Sequence, residues 1–184
     1  CAICIAPLTP PVHVEDETSG GDDDGVPSGA ASRRAYTQGV AVLHDALQAI
    51  ETGEAFNVKR LKRMVQLIVK RVMADEARML GLTTVRGYAD GDVTHAIHVC
   101  IFSVALGRRL GLTRLQLYDL GLAALFHDAG MARVSPDVRS KTGSLTDADR
   151  AALGGHTWYG VLQLFQMREQ KEFPYRSMVV AYEH

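Results

Sequence analysis

From Arg34 to its last residue the chain repeats apolar residues at three- and four-residue steps, and no run of strand length alternates. A helix brings positions three and four apart onto one face, whereas a strand does so for every second residue. The spacing therefore predicts an all-α fold and leaves no sheet on which to build a site. Val40, Leu43, Leu47 and Ile50 mark a first amphipathic helix ending near Gly53. Asn57 is placed to cap a second, whose stripe runs through Val58, Leu61, Val65, Ile68 and Val72 and on to Leu80. Its other face carries Lys59, Arg60, Lys62, Arg63, Lys70 and Arg71, and reads as a solvated surface.

A loop around residues 87–91 leads into a helix over about 94–110, which Gly111 stops. Thr113 and Gln116 form a capping box for the next, which stays apolar through Leu120, Leu122, Leu125 and Phe126 and runs into His127 and Asp128. Residues 130–143 read as a loop punctuated by Gly and Pro. Thr146 caps a short helix to about Leu153, and two more are predicted over about 158–167 and 176–184.

Before this helical region, residues 1–32 are rich in Pro, Gly, Asp and Ser and carry the acidic run Asp22, Asp23, Asp24. Such a segment buries too little apolar surface to offset its ordering entropy, so a disordered arm is expected. Residues 33–87 then form a helical lead-in to a domain over 88–184. The chain opens on Cys1 and stops at His184 inside an apolar helical run, so it is expected to be a fragment.

Composition narrows the function classes. A chain of 184 residues, 47% hydrophobic and 22% charged, can bury one real core. A net charge of −1 provides no field toward a nucleic-acid polymer or an anionic membrane. Apolar runs such as 99–106 and 120–126 are far too short to span a bilayer. Cys1, Cys4 and Cys100 cannot build a disulfide framework, and the lone CxxC of Cys1 and Cys4 lacks the second ligand pair of a structural zinc site. A cytoplasmic location is expected, with Cys100 as a small core residue.

The residues able to carry chemistry are His95, the adjacent His127 and Asp128, His156 and His184. Each sits at or near a predicted helix boundary, where an all-α fold can aim ligands from several helices at one point. Adjacent helical side chains diverge by about 100°, so at a helix end both His127 and Asp128 can turn toward one cation. Asp128 closes an almost wholly apolar run at a helix C-terminus, where an ionised carboxylate is unfavourable without a nearby cation. Imidazole with carboxylate suits divalent transition metals. Two such ions about 3.5–4 Å apart can clamp a phosphodiester and activate water. The competing reading of any one of these histidines is a hydrogen-bonded core residue, and His98 is read that way.

Four blocks, THAIHVCIFSVALGRRLGL, LGLAALFHDAGMARVSPDV, SKTGSLTDADRAALGGHTWYG and VVAYEH, occur in order over residues 88–184. This pattern resembles the HD-GYP family of bacterial cyclic di-GMP phosphodiesterases, a branch of the HD-domain metal-dependent phosphohydrolases. The resemblance implies an HD-domain helical bundle that hydrolyses cyclic di-GMP to pGpG and GMP in second-messenger signalling. It implies two divalent metal ions, iron, manganese or similar. His95 and His127 would hold one, His156 and His184 the other, and Asp128 would bridge them. His127 and Asp128 would be the catalytic pair, and Lys141 a contact to the substrate phosphate. A homodimer formed through the lead-in is compatible with it.

The departures matter as well. Met131 stands where many members carry the lysine of HDIGK, and Thr157 where they carry proline. Gly91 occupies the position of a glutamate found in three-metal members, which favours two metals here. The family's later ligands and GYP loop would follow residue 184, so the 184-residue chain alone is expected to be inactive. The other expectations compatible with these residues are a non-catalytic HD-type binding module and an HD phosphohydrolase acting on another nucleotide.

Overall fold

The computed structural model describes residues 28–54, 56–84, 91–166, 168 and 175–184. Among them every regular element is helical: α1 (Ser28–Thr52), α2 (Val58–Ala74), α3 (Glu76–Leu82), α4 (Gly91–Arg109), α5 (Arg114–Phe126), α6 (Pro136–Arg139), α7 (Asp147–Gly154), α8 (His156–Gln166) and α9 (Tyr175–Glu183), with a 3₁₀ turn at Ala129–Arg133. The all-α expectation holds. No described helix is long and apolar enough to cross a membrane.

The caps fall where the residue types place them. Asn57 accepts from the Arg60 N–H at 2.9 Å, and Thr113 with Gln116 forms the full reciprocal box at the start of α5. Thr146 with Asp149 does the same for α7. Each satisfies backbone donors that the first helical turn leaves open, which contributes about 1 kcal/mol. Gly111 ends the α4 region with φ +77°, a left-handed conformation that a side chain would strain.

Four boundaries differ from the sequence reading. α1 begins at Ser28, so residues 28–32 are helical, while the rest of the expected arm, with Cys1, Cys4 and His13, lies outside the described residues. The helix expected to run from Val58 to Leu80 is broken at Asp75. Its carboxylate caps α3 by accepting from the Arg78 N–H at 3.1 Å, and its own N–H closes α2 on Arg71 O. The segment expected as a loop over 130–143 contains the 3₁₀ turn and α6, whose N-cap is Ser135. Finally, α8 starts at His156 rather than near Trp158. The loop expected around 87–91 falls almost entirely outside the described residues.

α4 and α5 are joined by a short turn and pack on each other, with α2 against both and α1 against α2 and α4. One core runs from Tyr36, Leu43 and Ile50 of α1 through Leu61, Ile68 and Val72 of α2 to Ile97, Ile101, Leu125 and Phe126, and on to Leu164 and Ala181. The lead-in helices are thus part of the same core as the helices that carry the site. Side chains of this kind each contribute roughly 1.5–3 kcal/mol when buried. Cys100 is fully buried in this core, which pushes its thiol up to about 12 and leaves it unreactive. α8 rests on the 3₁₀ turn and on α9, and α9 on α5.

Candidate metal centre

The packing of α8 and α9 against the 3₁₀ turn and α5 brings distant parts of the chain to one point. His95 comes from α4, His127 and Asp128 from the end of α5, His156 from the first residue of α8, and His184 from the residue after α9. The Asp128 carboxylate lies at their centre. Oδ2 faces His127 Nε2 at 3.1 Å and His95 Nε2 at 3.6 Å. Oδ1 faces His184 Nε2 at 3.0 Å and His156 Nε2 at 3.4 Å. Two triads share this residue: His95 with His127, and His156 with His184, each with ligand atoms within 4.8 Å of one another. His95 is the outermost, its side chain 56% exposed against 11% for His127.

The close approach behind this arrangement rests on Gly130, in the turn after Asp128. A Cβ there would lie 1.9 Å from His156 O and 2.3 Å from Gly160 N. Only a residue without a side chain lets the turn meet α8 closely enough to set His156 opposite Asp128.

The donor chemistry fits divalent cations. Nδ1 of His127 donates to Ala124 O at 2.8 Å, Nδ1 of His184 to Ala181 O at 3.3 Å, and Nδ1 of His156 to Leu153 O. A carbonyl oxygen only accepts, so the hydrogen of each neutral ring is committed to Nδ1, and Nε2 presents a lone pair to Asp128. Backbone carbonyls orient ligand imidazoles in this way. The result is a ring of lone pairs around an anion, which needs positive charge between them. Without metal that charge is a proton. Burial opposes charge on His127, but Asp128 and the Ala124 carbonyl outweigh it and raise its pKa. Burial likewise opposes ionisation of Asp128, yet the hydrogen bond from His127 and the charges of His127, His184 and His156 hold it at about 2.

A cleft of about 280 Å³ opens beside Asp128. α1 lines it with His44, Leu47, Gln48 and Glu51, α4 with Asp92, the 3₁₀ turn with Met131, and α6 with Arg139. Of these residues the sequence singled out only Met131. No local pattern marks His44 or Arg139, since only the packing of α1 and α6 brings them to the cleft. Met131 puts a thioether on this wall, where the resemblance would have a lysine. Lys141 pairs with the Asp149 carboxylate in the capping box of α7. His98 turns to Tyr36 of α1, its Nε2 sharing a hydrogen bond of 2.8 Å with Tyr36 Oη, and so joins α4 to α1.

Among curated proteins, the chain is similar to the cyclic di-GMP phosphodiesterase PA4108 of Pseudomonas aeruginosa, with 27% identity over 136 residues. The match covers 74% of this chain and 32% of that protein, so the chain spans about a third of the length of this curated relative. No family model matches the chain, and no solved structure matches it.

Proposed function

We propose that this chain carries the metal centre of a cyclic di-GMP phosphodiesterase of the HD-GYP type. The observation that carries the reading is the division of Asp128: one carboxylate oxygen faces each histidine pair. A lone core histidine needs no such partition, whereas a carboxylate bridging two cations does. The similarity to a curated cyclic di-GMP phosphodiesterase supports the substrate class.

In this reading His95 and His127 would hold one divalent ion and His156 and His184 the other, with Asp128 shared between them. Bound there, a pair of such ions supplies Lewis-acid charge to a phosphoryl oxygen and makes water nucleophilic at neutral pH. The chain's part is orientation. The Ala124, Leu153 and Ala181 carbonyls fix three imidazole rings. Asp128 stays ionised throughout the neutral range and brings the negative charge that two cations require. Lys141 is the proposed contact to the substrate phosphate, after release from Asp149.

The test is metal analysis of the full-length gene product beside its turnover of cyclic di-GMP. Two equivalents of manganese or iron and formation of pGpG are expected, with both lost in Asp128→Ala and turnover lost in His127→Ala. Metal bound without turnover of cyclic di-GMP would support instead a binding module or a phosphohydrolase of another nucleotide.

A further inference from the structure

We infer that Arg139 grips a phosphodiester of the nucleotide substrate in the cleft beside Asp128, with Asp92 holding its guanidinium in place. The inference rests on the reading above and adds a residue to it. Among the described residues lining this cleft, Arg139 is the only lysine or arginine, while Glu51, Asp92 and Asp128 are carboxylates. A cyclic dinucleotide carries two phosphodiesters, and a centre built on Asp128 can neutralise one of them at a time. The other needs a cation from the protein, and Met131 on the cleft wall provides none.

Arg139 suits that task in geometry. It ends α6, and its Nη1 donates to Asp92 Oδ2 at 2.6 Å across the cleft rim. It has no other hydrogen bond or ion pair with the described residues, so the rest of its planar fork is open to an anion. Guanidinium is the side chain best matched to two oxygens of one phosphate. A purely structural purpose explains the pair poorly. The Asp92 side chain is 60% exposed, and ion pairs open to water to that extent contribute little stability. A carboxylate that fixes one edge of the guanidinium lowers the entropy lost when the other edge closes on substrate.

The experiment measures binding of a hydrolysis-resistant phosphorothioate analogue of cyclic di-GMP to the manganese-loaded full-length gene product by calorimetry, with metal content and melting temperature recorded for every variant. Arg139→Gln is expected to weaken binding by roughly tenfold or more, the loss of a charge-assisted hydrogen bond, with metal content unchanged. Arg139→Lys keeps the charge without the fork and falls between. Asp92→Asn breaks the same ion pair but keeps the guanidinium, so it loses far less than Arg139→Gln. Wild-type affinity in Arg139→Gln, or equal losses in Arg139→Gln and Asp92→Asn, would overturn the inference and leave the phosphodiesterase reading standing. A wild type that holds metal yet does not bind the analogue would overturn both.

Discussion

His156 and His184 face each other through their Nε2 atoms at 3.0 Å, while the Nδ1 atom of each donates to a backbone carbonyl three residues earlier. With both hydrogens committed to Nδ1, two lone pairs meet at hydrogen-bond distance and neither neutral ring can donate to the other. The same two nitrogens also face Asp128 Oδ1. The arrangement is unfavourable until a cation or an added proton enters it.

Divalent metal is therefore expected to stabilise the fold. At a hundredfold excess of free manganese over its dissociation constant the gain is about 2.7 kcal/mol for one site. Thermal melts with and without metal check this, since the melting temperature should rise with manganese and fall with a chelator. The rise should shrink in His156→Ala and disappear in Asp128→Ala, which removes the group common to both triads. A melting temperature indifferent to divalent ions would show that a proton alone satisfies the cluster.

Gly130→Ala should be far more damaging than an exchange of one hydrogen for a methyl suggests. The new Cβ would overlap the backbone of α8 at His156 and Gly160, and backbone cannot swing aside as a side chain can. We expect a loss of about 3 kcal/mol or more in urea unfolding, together with weaker metal binding as His156 moves off Asp128. Gly143→Ala is the control, because nothing lies within 4 Å of a Cβ there.

How much of this was legible in the sequence depends on the range over which each feature is determined. Caps at Asn57, Thr113 and Thr146 are local: an oxygen meets an N–H two or three residues away, and the residue types declare it. The break at Asp75 was hidden because the apolar stripe continues through it to Met79, which is fully buried in the same core. The convergence of His95, His127, Asp128, His156 and His184 was legible because His and Asp at helix ends are chemically unusual and because the ordered blocks resemble a known family. The cleft was not. His44, Gln48 and Glu51 are ordinary polar residues of α1 until that helix packs beside Asp128, and Arg139 belongs to a helix too short to show a period.

His98 should make the fold sensitive to mild acid. Burial, reinforced by the neighbouring charge of His95, lowers its pKa, so between its folded value and the ordinary value near 6.5 the unfolded chain binds more protons. Stability carried by neutral His98 is then full above about pH 6.5 and declines as pH falls through that value. His127, with its raised pKa, works in the opposite direction, so the comparison must be between variants. Urea midpoints of the metal-free protein at pH 7.5 and 5.5 should differ less in His98→Gln, whose amide can still bond Tyr36 but does not titrate. An unchanged difference would assign the acid sensitivity to other groups.

Gln163 offers a stabilising substitution. It lies in α8, 3% exposed and next to the fully buried Leu164, and neither its Oε1 nor its Nε2 has a partner among the described residues. An amide taken out of water without replacement bonds costs about 1–3 kcal/mol, whereas an apolar side chain of the same length carries no such penalty. Gln163→Met keeps the unbranched shape and the volume that the neighbouring core accepts. We expect it to gain about 1 kcal/mol, seen as a rise of roughly 2–4 °C in the melting temperature of the metal-free protein. Because Gln163 belongs to the same helix as His156 but is not one of the cluster's ligands, metal affinity should stay as it is. A lower melting temperature would mean that the amide bonds to something that the apolar side chain cannot replace.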